Sequence, residues 1–197
     1  MSSDSGHPDM LNSVERMLRP ERVETLDPFR VLSHCPVTPR DTIADIGCGP
    51  GYFTIPLAKF LVHGKVYALD ISDDMLAACQ ARLDEARLGN VEVLRCEEYE
   101  FPVEPVSVDG IFISVVLHHP SDRIRFLTAA QEMLKPGGWC FIIEWQPHET
   151  ASGPPQEARI TINDLRGIAL GSGLKFQSSL NLNSDYYLAT LIKNRTA

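Results

Sequence analysis

From Arg40 onward, short apolar runs alternate with stretches whose apolar residues recur at helical spacing. The runs near 42–46, 65–70, 91–95, 108–115 and 138–145 predict strands, and the stretches near 51–62, 73–87 and 121–135 predict helices. Alternation of this kind predicts parallel strands joined by crossover helices on both faces, an α/β, doubly wound, mostly parallel sheet. After Pro154-Pro155, a short helix is predicted from about Ile162 to Leu170, ended by Gly171-Ser172-Gly173. Runs 174–180 and 186–193 flank Asn181-Leu182-Asn183-Ser184, whose turn chemistry predicts an antiparallel hairpin. Ahead of the alternation, helices are predicted from Pro8 to about Leu18 and from Pro20 to about Cys35, with Pro20 and Pro28 breaking or restarting them. The expected layout is one compact unit: an N-terminal helical cap over 1–38 and a sheet domain over 39–197.

The junction of the first strand and first helix is the chemically telling stretch. Asp45-Ile46-Gly47-Cys48-Gly49-Pro50-Gly51 follows Thr42–Ile46 and precedes a helix pattern with Phe53, Leu57, Phe60 and Leu61 on one side. Glycines at alternate positions leave almost no side-chain bulk, so backbone can approach a ligand closely with helix N-terminal amides facing it. Asp45 stands just before the glycines, and Asp70 ends the next apolar run, Lys65–Asp70. Strand, glycine turn, helix, strand, acid is a nucleotide-binding arrangement.

The dinucleotide fingerprint G-x-G-x-x-G does not fit. Gly47 and Gly49 match, but the third position is Tyr52, where close helix–strand packing calls for glycine. Asp45 would repel a pyrophosphate and would welcome a cation. S-adenosyl-L-methionine (SAM) carries an ammonium and a sulfonium and no phosphate, so it is favoured over NAD. Asp70 can accept both ribose hydroxyls of such a nucleoside. Its competing role, capping the next helix, suits Ser72 better.

Asp45–Gly51, Ala68-Leu69-Asp70-Ile71-Ser72 with Asp74-Met75-Leu76, and Asp109–Ser114 with Leu117-His118-His119 together resemble class I SAM-dependent methyltransferases, in particular the "type 11" group that includes ubiquinone/menaquinone-biosynthesis enzymes. Lys135-Pro136-Gly137-Gly138 ahead of a strand is similar to that family's turn. The resemblance covers about Asp41 to Trp145 and reappears at the C-terminal hairpin. It implies a Rossmann-like, seven-stranded sheet with an antiparallel C-terminal hairpin strand. It also implies that Gly47, Cys48, Gly49 and Gly51 line the cofactor, that Ile71 and Met75 sandwich adenine, and that Glu97, with Glu98 as neighbour, receives the adenine amino group. The family's Gly-Asp is Cys96-Glu97 here, so the register can slip by one. By the same resemblance, the Ser114 carbonyl meets the methionine ammonium, and Asp45 orients that end directly or through water.

Size and charge narrow the partners. The chain has 197 residues, a hydrophobic fraction of 44% and a formal charge of −8. The acidic balance disfavours nucleic acid, and Arg16, Arg19, Arg22 and Arg30, a local basic stretch, read better as a solvated helix face than as a basic patch. No apolar stretch is long enough to span a bilayer and no signal-peptide pattern opens the chain, so a cytoplasmic location is expected. Five scattered cysteines without C-x-x-C argue against a disulfide framework. Cys48 is expected to be exposed to reagents, and a cysteine-dependent arsenite methyltransferase is a further alternative. His7, His34, His63 and His148 have no ligand spacing, so no metal is expected.

SAM carries an activated methyl, so the protein's task is orientation and exclusion of water. His118, His119 and Glu144 are the candidates for proton transfer, with helix capping as the competing role for the histidines. Trp145 is a candidate to stack on an aromatic acceptor. A small-molecule acceptor is expected, with a homodimer as a further partner. A protein or RNA acceptor, a non-catalytic SAM-binding module and an NAD enzyme are the alternatives.

Overall fold

The computed structural model describes residues 14–150 and 152–195. A seven-stranded sheet has the order β3-β2-β1-β4-β5-β7-β6. Its strands are β1 (Thr42–Ile46), β2 (Lys65–Asp70), β3 (Val91–Arg95), β4 (Val108–Ser114), β5 (Leu134–Trp145), β6 (Leu174–Asn181) and β7 (Tyr186–Lys193). Strands β1 to β5 run parallel, and β7 lies antiparallel between β5 and β6. The expected doubly wound sheet with its antiparallel hairpin strand is therefore present. Successive crossovers build outward from β1 to β3, then the chain returns to place β4 on the other side of β1. That reversal opens a crevice beyond the carboxyl ends of β1 and β4.

The central strands are buried on both faces, which is why they read as continuous apolar runs. On one face, Ile43, Phe112, Phe141 and Ile143 pack with Leu57 and Leu61, around the helix α3 (Thr54–Phe60), and with Leu26 and Val31 from the N-terminal segment. On the other, Ile46, Ile111, Ile113 and Ile142 meet α5 (Arg123–Glu132) and α6 (Ile162–Gly171). Against β2 and β3, α4 (Asp73–Glu85) packs Leu76, Cys79 and Leu83. Caps fix the helix starts: Ser72 Oγ accepts from the Met75 amide, Asp122 from Arg125, and Thr161 forms a capping box with Asp164.

Several expected boundaries move. Helix α3 starts at Thr54 rather than near 51, because positive φ at Gly47, Gly49 and Gly51 prolongs the turn to Phe53. Phe60 is 46% exposed and does not join Phe53, Leu57 and Leu61 in the core. The helix expected from Pro20 to Cys35 is two, α1 (Pro20–Thr25) and α2 (Pro28–Leu32), since Asp27 accepts the Phe29 and Arg30 amides and restarts the chain at Pro28. Residues 14–18 are also helical, while the rest of the helix expected from Pro8 lies outside the described residues. Strand β5 begins at Leu134, ahead of the expected 138. Leu134 pairs with Val108, and Lys135-Pro136-Gly137-Gly138 bulges before pairing resumes at Trp139 and Gly110.

Beyond β5, Arg159 fastens the following loop. Its Nε donates to the Pro154 carbonyl (3.0 Å), Nη1 to the carbonyls of Gln146 (3.1 Å) and His148, and Nη2 to Thr150 Oγ1 (2.9 Å) and the Ser152 carbonyl (3.2 Å). Every guanidinium donor is used. Lysine cannot copy this planar fork. Arg159→Lys is expected to lose about 2–3 kcal/mol in urea unfolding and to expose 147–154 to protease; an unchanged midpoint would remove the loop-fastening role.

Candidate active site

The glycine turn sits at the crevice and is tied to its neighbours by backbone. The amides of Gly47 and Cys48 both donate to the Leu69 carbonyl, at 2.7 and 3.0 Å. A Cβ on Gly47 would lie 2.3 Å from Val116 Cγ2, so the turns after β1 and β4 close on each other only because this residue is glycine. A Cβ on Gly51 would meet Cys79 Sγ at 2.9 Å, whereas one on Gly49 would find, among the described residues, Met17 Sδ alone, at 3.5 Å. Gly49 is thus where the turn presents bare backbone.

Asp70 Oδ2 accepts the Gly49 amide at 2.8 Å and Oδ1 accepts the Ser72 amide at 2.9 Å. Each oxygen keeps a lone pair for a further donor. Ser72 supplies the helix cap through its own hydroxyl, as its competing assignment expected. Asp45 is different. It is 2% exposed beneath the turn, and Thr54 Oγ1 donates to its Oδ2 at 2.6 Å. Burial pushes its carboxyl up to about 7; the Thr54 hydrogen bond opposes this and the Asp70 charge adds to it.

Ser114 ends β4 with an Oγ that is sealed from solvent and has no partner among the described residues. The next residue, Val115, has φ of 60°, a left-handed conformation that a β-branched residue rarely adopts. Its amide is held by the Ile143 carbonyl at 2.8 Å. Backbone strain of this kind gathers at functional sites.

The remaining cofactor candidates border the ends of β2 and β3. Ile71 is 59% exposed and Met75 is half-buried in the first turn of α4. Glu97 and Glu98 are exposed, and the Glu97 carboxylate lies 3.5 Å from Arg95. Cys48 departs from expectation: it is 6% exposed, turned inward toward the Gly49 carbonyl, and packed in one cluster with Cys79. Its contact with Cys79 and its burial both raise its pKa, which disfavours thiolate chemistry there. Among the described residues no group of three or more His, Cys, Asp or Glu side chains is arranged to hold a metal ion.

Two proton-transfer candidates form a pair. Glu144 is fully buried, and its Oε1 accepts the His118 backbone amide at 3.1 Å. Both Glu144 oxygens lie 3.0–3.1 Å from His118 Nδ1, and Oε2 also accepts the Trp145 amide at 3.2 Å. The carboxylate therefore holds Nδ1–H and leaves Nε2 without a partner among the described residues. His119 lies outside this pair, its ring 4.0 Å from that of His118; burial lowers its pKa, and so does the His118 charge. Thr54, Val115 and Val116 were missed by sequence reasoning. Nothing in the pattern marks a β-branched residue for positive φ.

The geometry agrees with the comparisons. The family described as a methyltransferase domain matches residues 43–138. A SAM dependent methyltransferase structure from Aquifex aeolicus superposes with a TM-score of 0.87 at 27% identity, covering 92% of this chain and 97% of that one. Residues 43–138 thus match a methyltransferase domain, and the chain is similar along most of its length to a SAM-dependent methyltransferase. The chain is 32% identical over 139 residues to a demethylmenaquinone methyltransferase of Bacillus mycoides, covering 69% of this chain and 56% of that protein. The same-named protein of Lactococcus lactis is 35% identical over 104 residues, 52% and 41% of the two lengths. The chain thus spans about half the length of these relatives. A putative methyltransferase in complex with the Haloferax volcanii Trm112 activator, at 17% identity and a TM-score of 0.78 over 94% of this chain and 96% of that one, shares the fold.

The cofactor of this methyltransferase family is SAM, and the residues present fit it. A glycine cradle that is loosest at Gly49, a carboxylate with spare lone pairs at Asp70, and a buried Ser114 hydroxyl without a partner among the described residues suit a nucleoside with several polar groups and no phosphate. The buried acid beneath the turn carries a pH signature. The folded-state pKa of Asp45 lies above its unfolded value of 3.8, so the folded chain binds the extra proton between about pH 4 and 7. Stability supplied by that proton is complete below the unfolded pKa and is lost as pH rises through about 7. Asp45→Asn, which can still accept from Thr54, is expected to flatten the fall in urea-unfolding free energy between pH 4.5 and 8; parallel pH curves for the two proteins would contradict the buried-acid assignment.

Proposed function

We propose that this chain methylates a small-molecule acceptor whose nucleophile is made by loss of a hydroxyl proton, and that His118, held by Glu144, accepts that proton. The observation that carries the reading is the buried Glu144–His118 pair at the carboxyl ends of β5 and β4, beside the glycine turn. An imidazole fixed through Nδ1 offers Nε2 as a base, with the carboxylate stabilising the cation that forms. Deprotonation prepares either a hydroxyl oxygen or the ring carbon of a hydroxylated aromatic. Relatives named demethylmenaquinone methyltransferase support a small, quinone-like acceptor.

The cofactor roles fall to residues already placed. Asp70 would hold the ribose, the backbone at Gly47, Gly49 and Gly51 would approach the adenosyl end, and Ser114 with Asp45 would serve the methionine end. Ile71 and Met75 would flank adenine, with Glu97 or Glu98 at its amino group. When bound, SAM supplies a methyl group on a cationic sulfur, already activated for displacement. The chain's own residues orient the acceptor, exclude water and take up one proton. The reading includes a helical cap over 1–38 on a sheet domain over 39–197, and a cytoplasmic protein acting as a monomer or homodimer. The net charge of −8 supports a small acceptor over nucleic acid.

Incubation with radiolabelled SAM and a panel of phenols and hydroquinones tests this directly, with calorimetry of S-adenosylhomocysteine (SAH) as the binding control. His118→Asn and Glu144→Gln are each expected to lower kcat about 10²–10⁴-fold while leaving SAH affinity unchanged. The deficit should shrink for nitrophenols that are already ionised in solution. Tight SAH binding without transfer to any acceptor would favour a non-catalytic module, and a His118→Asn variant at full rate would remove the base.

A further inference from the structure

An arginine and three aromatic rings converge beside this site in a way that the proton-transfer pair does not use. Tyr52 follows the last glycine of the turn and is 9% exposed; its hydroxyl donates to the Leu26 carbonyl at 2.9 Å. Trp145 follows Glu144 on β5, and Tyr186 faces it across the β5–β7 pairing, with ring centroids 4.5 Å apart. Arg22, on α1, lays its guanidinium over the Tyr52 ring at 4.5 Å. Its charge also acts on the Tyr186 phenol, whose pKa burial raises to about 12 against the opposing effect of Arg22. Glu144 acts on the same phenol. Tyr52, Trp145 and Tyr186 belong to one packed cluster, which joins the turn to the strand that carries Glu144.

The state of the Arg22 donors is the informative part. Burial lowers its pKa from the usual arginine value, and the Tyr186 and Tyr52 groups oppose that shift. Among the described residues, its side chain makes a single hydrogen bond, Nη1 to the Met17 carbonyl at 3.1 Å, and no carboxylate lies within 4 Å. A guanidinium has five donors, and planar oxyanions satisfy two of them at once. The neighbouring acids are engaged elsewhere: Asp27 caps α2, Asp185 accepts from Ser184, and Glu144 holds His118. Arg159, whose guanidinium lies 5.5 Å from the Trp145 ring, has every donor occupied. Among the described residues Arg22 has donors to spare, and none of its nitrogens is sealed from solvent without a partner.

We propose that Arg22 is an acceptor-recognition residue: it binds a carboxylate on an aromatic acceptor whose ring lies against Tyr52, Trp145 and Tyr186. The proposal deepens the methyl-transfer reading and rests on it for the identity of the neighbouring cofactor. A neutral ring would gain only stacking there. An anionic ring adds charge-assisted, two-point hydrogen bonding to a cation that has already lost much of its water. Arg22 positions and selects the acceptor and takes no part in proton transfer.

The test uses a matched pair of probes, 4-hydroxyphenylacetate and 4-hydroxyphenylacetamide, titrated calorimetrically into the full chain with and without SAH. The wild-type protein is expected to favour the carboxylate about 10–100-fold. Arg22→Met should bring the two probes within about twofold, with amide-probe affinity and SAH affinity unchanged. Arg22→Lys should restore part of the preference. A latch that merely held the N-terminal helices would instead weaken both probes and SAH together, and that result overturns the proposal. So does a wild-type protein without charge preference. Failure of SAH to bind would strike the methyl-transfer reading alone, because the charge preference is also read without it.

Discussion

The crevice exists because strand order reverses between β1 and β4, and its shape is set by how closely the two departing turns can meet. Gly47 and Val116 fill the same space to within a methyl group, so the left-handed glycine and the strained Val115 are two halves of one constraint. Asp70 completes it by accepting amides from both the glycine turn and the loop before α4. The turn is thus held by backbone hydrogen bonds, by the Asp70 carboxylate and by the Arg82 guanidinium, which donates to the Pro50 carbonyl. That leaves its surface bare for a ligand.

The acids around this crevice divide the work through their surroundings. Asp70 is partly solvated and accepts two amides, an environment suited to a permanent hydrogen-bond acceptor. Asp45 is buried beneath the turn with a single hydroxyl donor, so its ionisation responds to what arrives above it. Glu144 is equally buried but carries a histidine and two amides, enough partners to satisfy a carboxylate in the interior. The three carboxyls take three different roles from the number and kind of their donors.

Much of the fold was legible because a parallel sheet covered on both faces writes its strands as unbroken apolar runs. The errors fell where backbone conformation contradicts composition. Positive φ carries the glycine turn as far as Phe53 and so delays α3, and Lys135–Gly138, which reads as a turn, is a bulge inside β5. In the site, Asp45, Asp70 and the glycines were legible from their order along one strand–turn–helix unit. His118 and Glu144 were visible singly but not as a pair, because 26 residues separate them and only the β4–β5 adjacency joins them. Arg22 read as part of a solvated basic face, since no local pattern reveals that the chain folds it against Tyr52.

The two flanks of the crevice differ in how firmly they are attached. On the β5 side, Arg159 knots residues 146–154 through all of its guanidinium hydrogens. On the opposite side, among the described residues, Met17 lies beside Gly49, its carbonyl accepts from Arg22, and Leu18 packs on the core. The β5 flank is therefore a fixed jamb of the crevice, its position set by one side chain that spends every donor it has.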